Sequence, residues 1–76
     1  MDRGDLVEVG DGVFFLRSVY EEMVAEIVKW IRRKESITVR QARDLFHTSR
    51  RYIMPLLEHL DDLGITRRVG DERVLQ

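Results

Sequence analysis

The chain has 76 residues, 43% hydrophobic and 36% charged, with 13 Lys and Arg against 14 Asp and Glu and a net charge of -1. A chain this short buries only about 60% of its unfolded surface, so one small core is expected and a deep substrate cavity is not. With no cysteine, disulfides, thiolate metal sites and cysteine nucleophiles are excluded; no apolar run approaches the roughly 20 residues of a membrane span, and the charged start MDRGDLVEVG shows no signal-peptide pattern.

Leu6-Val7-Glu8-Val9 and Val13-Phe14-Phe15-Leu16 flank Gly10-Asp11-Gly12. The pattern predicts two extended segments joined by a tight turn. Leu6–Val9 is alternatively the tail of something upstream. Residues 1–11 are therefore set apart as a linker or the edge strand of a preceding domain, and residues 12–76 as the domain proper. Ser18-Val19-Tyr20-Glu21 has the S-x-x-E form of a capping box. Tyr20, Met23, Val24, Ile27, Val28 and Ile31 follow at helical spacing. Arg32, Arg33 and Lys34 fall at the predicted end of that helix, where the dipole favours cations. Trp30 lies off the main stripe, covering a flank of the core or meeting a neighbouring domain.

Thr38-Val39-Arg40-Gln41 repeats the box as T-x-x-Q and starts a short helix to Phe46. Val39, Ala42, Leu45 and Phe46 face its core side. His47-Thr48 breaks the pattern, and Thr48 or Ser49 caps a third helix. Tyr52, Ile53, Leu56, Leu57, Leu60 and Leu63 form the apolar side of that helix, and Gly64 terminates it. Pro55 removes one backbone donor, so a bend is expected, with the carbonyl of Arg51 left unpartnered. Ile65–Val69 and Arg73–Leu75 flank Gly70-Asp71-Glu72 as a β-hairpin. Strand, helix, helix, helix, hairpin is the order of an α+β winged helix-turn-helix: three helices plus a small antiparallel β-sheet with a wing hairpin.

Enzyme motifs are missing. There is no phosphate-cradling G-x-x-x-x-G-K-[ST]. His47 and His59 are too far apart for ligands on one helix face, and no further ligands accompany them. Glu58, Asp61 and Asp62 read as a solvated helix face without a partnered acid or base.

The arginines carry more information. All seven basic residues after position 36 are Arg, and between Arg40 and Arg51 four arginines stand against the single Asp44. The planar guanidinium fork suits phosphates and base edges. Arg40 and Arg43 share a face of the second helix. Arg50 and Arg51 fall in the first turn of the third helix, where cations oppose the dipole by about 0.3–1 kcal/mol each. That helix start also offers free N–H groups to an anion. A Gly70-Asp71 loop sets Arg68 opposite Arg73, a like-charge pair that a polyanion over the wing would relieve, and turns Arg67 the other way. Tyr52, in the apolar stripe, is expected in the core.

The run from Ile37 to Asp61 contains T-S-R-R-Y-x-x-P-L-L-E-x-L-D, followed from Gly64 by G-x-T-R-R-x-G-D. It closely resembles the last winged-helix domain of the bacterial selenocysteine-specific elongation factors. The resemblance extends from about Gly12 to Leu75. In many relatives Gly stands at the place of His47 and Lys at that of Arg51. The resemblance implies a non-catalytic domain that binds the apical loop of the selenocysteine-insertion (SECIS) hairpin in mRNA and tethers the factor beside the UGA codon. Arg40, Arg43, Thr48, Ser49, Arg50, Arg51, Arg67, Arg68 and Arg73 are the expected RNA-binding residues. It further implies a cytoplasmic monomer with no membrane partner and no cofactor in this chain, GTP binding elsewhere in the parent factor, and a preceding winged-helix domain and the ribosome as neighbours. Residue chemistry alone gives a compact anion-binding module, leaving a DNA-binding regulator and a protein-interaction module as alternatives.

Overall fold

Apolar residues alternate with exposed ones at the start of the chain, and such a pattern half-buries a strand. A computed structural model describes residues 5–10 and 12–76. β1 (Leu6–Gly10) pairs antiparallel with β2 (Val13–Leu16), with a bulge between Glu8 and Gly10. Val9 is buried in the core, and Val7, Val13 and Phe15 pack against that core. Residues 6–10 pair with β2 and pack against α3. Asp11 and residues 1–4 lie outside the described residues. Gly10 has a packing reason to be glycine, since an added Cβ would stand 3.0 Å from the Pro55 Cβ.

α1 (Arg17–Lys34) follows β2 directly, with extended Leu16 as its N-cap and no side-chain cap bond. The expected capping box at Ser18 does not form, because the strand hands over to the helix two residues earlier and Ser18 is already helical. Met23, Ile27 and Ile31 are buried, and Arg32, Arg33 and Lys34 occupy the last turn as expected. Trp30 packs against the core, with its indole nitrogen buried and unpartnered among the described residues.

β3 (Ile37–Thr38) leads into α2 (Val39–Leu45). Here the capping box does form: the Gln41 N–H donates to Thr38 Oγ1 at 3.0 Å, and the Thr38 N–H to Gln41 Oε1 at 3.0 Å. α3 (Arg50–Asp62) carries the rest of the core on Ile53, Leu56, Leu57 and Leu60. It runs as one helix through Pro55. β4 (Thr66–Val69) and β5 (Glu72–Leu75) form the wing, and the sheet order is β3-β5-β4, all antiparallel. Arg68 opposes Arg73 and Val69 opposes Glu72, the expected register.

The helices α2 and α3 close with the same hydrogen-bond pattern. After α3, Gly64 takes φ 79°, its N–H donates to Asp61 O at 3.0 Å, and the Ile65 N–H donates to Leu60 O at 3.0 Å. After α2, His47 takes φ 53°, its N–H donates to Asp44 O at 3.3 Å, and the Thr48 N–H donates to Arg43 O at 3.0 Å. This is the Schellman closure, whose left-handed position favours glycine. The helix-turn-helix therefore has a side chain where its backbone prefers none. His47→Gly is expected to stabilise the fold by about 0.5–1 kcal/mol, since relief of left-handed strain exceeds the added chain entropy. The check is a thermal melt, in which the midpoint should rise by about 2–8 °C.

Candidate nucleic-acid interface

Three elements deliver one arginine each to a shallow groove of about 470 Å³. Arg40 comes from the first turn of α2, Arg50 opens α3, and Arg68 lies on β4. Thr38, Val39, Met54, Asp71 and Arg73 complete the lining. Arg40, Arg50 and Arg68 are exposed. The Arg68 Nε donates to Gly70 O at 3.0 Å, which holds its guanidinium against the wing turn. The Thr38 capping box fixes the start of α2 and hence Arg40. Ser49 caps α3 through its carbonyl, which accepts from Tyr52 and Ile53 N–H at 3.1 Å each, and its side chain makes no cap bond. The first N–H groups of α3 thus meet no Ser49 hydroxyl, and they lie beside Arg50.

Arg73 is placed differently from the other three. It also faces the groove, but it is only 2% exposed and forms the floor. Its guanidinium meets Asp61 Oδ2 from Nε at 3.2 Å and from the terminal nitrogen at 3.1 Å. The Thr66 hydroxyl donates to the other oxygen of Asp61 at 2.6 Å. The like-charge contact expected between Arg68 and Arg73 is therefore met from inside, by an internal carboxylate. Asp61 is correspondingly not a solvated surface acid. It ties α3 to both strands of the wing.

The other expected residues disperse. Arg43 stands 3.5 Å from the carboxylate of its own neighbour Asp44 and does not line the groove. Thr48 lies in a separate depression with Phe15, Val19, Met23, Leu45 and Phe46. Arg67 is exposed on the strand face opposite Arg68, as alternation requires. Arg51 is exposed at the tip of α3, with its guanidinium carbon 5.8 Å from the Tyr52 ring centroid. Tyr52 is itself 44% exposed, against the expectation of core packing. Within its stripe, Ile53, Leu56, Leu57 and Leu60 are buried, whereas Tyr52 and Leu63 at the two ends are exposed.

His59 packs against α1. It is half-buried, its Nε2 is 3.0 Å from the Tyr20 hydroxyl, and the rings meet edge to face with centroids 5.6 Å apart. Burial lifts the Tyr20 hydroxyl above its usual pKa of 10.0, with Arg17 pulling the other way. Among the described residues no cluster of His, Asp and Glu is arranged to hold a metal, and no helix is long and apolar enough to cross a membrane.

A three-helix unit with a β-hairpin packed beside its third helix is a winged-helix domain. Residues 29–75 match the family model described as elongation factor SelB, winged helix. The chain belongs to that family. Over all 76 residues it is 26% identical to the selenocysteine-specific elongation factor of Desulfomicrobium baculatum, and it spans 12% of that protein's length. It superposes with a TM-score of 0.86 and 22% identity on the mRNA-binding domain of elongation factor SelB from E. coli, solved in complex with SECIS RNA. The superposition covers 97% of this chain and 61% of that one.

Proposed function

We propose that this domain binds the apical loop of a SECIS hairpin and tethers a selenocysteine-specific elongation factor to its messenger. The observation that carries the reading is the convergence of Arg40, Arg50 and Arg68 from three elements on one groove. The name of the Desulfomicrobium relative and the RNA held by the E. coli one support it. The shape of the charge favours a loop over a duplex. Beyond Arg51, the outward side of α3 presents exposed Glu58 and Asp62, which repel phosphates, so only the helix tip is usable. A duplex-DNA reader lays a recognition helix into the major groove. The deep, narrow major groove of an A-form stem is closed to side chains, and sequence is read at loops instead. The same reading makes the domain a non-catalytic, cytoplasmic monomer without a cofactor of its own, working beside a preceding winged helix and the ribosome.

A titration with a SECIS stem-loop, its duplex stem alone and DNA of equal charge tests this. The stem-loop should bind most tightly, with affinity falling steeply as salt rises. Preference for duplex DNA would replace the reading with a transcriptional one, and salt-independent or absent binding with a protein-interaction one.

A further inference from the structure

Tyr52 continues the apolar side of α3, yet it is exposed. Further along that flank the helix is covered, by Gly10 against Pro55 and by Tyr20 against His59. Over Tyr52 lies the Arg51 guanidinium, at the outer limit of a cation–π contact. An open aromatic face in the first turn of α3, next to an arginine pair, has no packing reason in this fold.

Building on the proposed RNA reading, we infer that Tyr52 is a stacking platform for one unpaired base of the RNA loop. Every base has a π-face, and proteins that bind splayed loops take bases on aromatic rings. Base–aromatic stacking is stronger than an exposed cation–π pair, so the base displaces Arg51 from the ring. The freed guanidinium then meets the adjoining phosphate, for which its fork is suited. Successive helical residues are set about 100° apart, so Tyr52 projects from the flank opposite Arg50. A loop draped over the helix tip thus meets the groove arginines on one side and the ring on the other.

The test uses the full chain and a SECIS stem-loop carrying 2-aminopurine at one loop position at a time. Emission from one position should fall on binding, through stacking on the ring. Tyr52→Phe should keep that quench. Tyr52→Leu keeps an apolar contact but no ring; it should lose the quench and weaken stem-loop affinity about five- to a hundredfold. Stem-only binding should not change, and thermal melts of both variants report the fold. Undiminished affinity and quench in Tyr52→Leu would overturn the platform while leaving the RNA reading intact. So would stem-loop binding by the unaltered chain with no quench at any loop position. Failure of the unaltered chain to bind the stem-loop would remove both.

Discussion

Asp61→Ala is expected to lower folding stability by about 3 kcal/mol and the melting midpoint by about 12–24 °C. Arg73 is 2% exposed, and the Asp61 carboxylate is the acceptor for both its Nε and its terminal nitrogen. Removing that carboxylate leaves a buried guanidinium uncompensated and deprives the Thr66 hydroxyl of its acceptor. The expected loss sits at the low end for a buried pair because the Asp61 side chain is 23% exposed and water can reach the gap. Urea and thermal unfolding followed by circular dichroism measure it. Asp62→Ala, one residue on and solvent-exposed, should cost less than about 0.5 kcal/mol. Equal losses at the two positions would refute the network's role in holding the wing.

The second large effect concerns binding. Replacing Arg40, Arg50 and Arg68 together with alanine should weaken stem-loop affinity about a hundred- to a thousandfold. The lower figure allows for non-additivity among side chains that share one ligand. Each phosphate contact on a single strand adds about 0.7 to the salt slope, so the slope should fall by about 2. Arg67→Ala is the matched control: it removes one charge from the same strand but from the opposite face. It should leave the slope nearly unchanged. A comparable loss per charge from Arg67 would mean that bulk charge, not groove geometry, governs binding. The fold should survive the triple change, since all three side chains are exposed.

Local chemistry made much of the fold legible in advance. The Thr38–Gln41 capping box, the glycine closure after α3 and the wing register each depend on a few adjacent residues, and each is present as expected. The resemblance around T-S-R-R-Y likewise led to the family that the comparisons show. What escaped was set by the neighbouring strand or by residues distant in the chain. Ser18 has the right neighbours for a cap, but β2 runs straight into α1. Arg73 looks like a surface cation beside Arg68 until Asp61, twelve residues earlier, is brought beneath it. Periodicity offered a trace of this. Asp61 lies four residues after Leu57, and His59 three after Leu56, so both border the apolar stripe. Tyr52 misled in the opposite direction, because periodicity assigns a residue to a side of a helix without saying whether anything packs there. Of the residues expected to bind, Arg40, Arg50 and Arg68 share a groove, whereas Thr48, Arg43 and Arg67 face elsewhere, a grouping that depends on how α2, α3 and the wing are packed together.

The Asp61 anchorage also bears on how a ligand is received. Because one carboxylate fastens both strands of the hairpin to α3, the strand bearing Arg68 and the helix bearing Arg50 are joined through a largely buried contact, which limits the ordering that this part of the groove needs on association. The guest must supply the adaptability, which makes a pliant nucleotide loop a better fit than a stiff double helix.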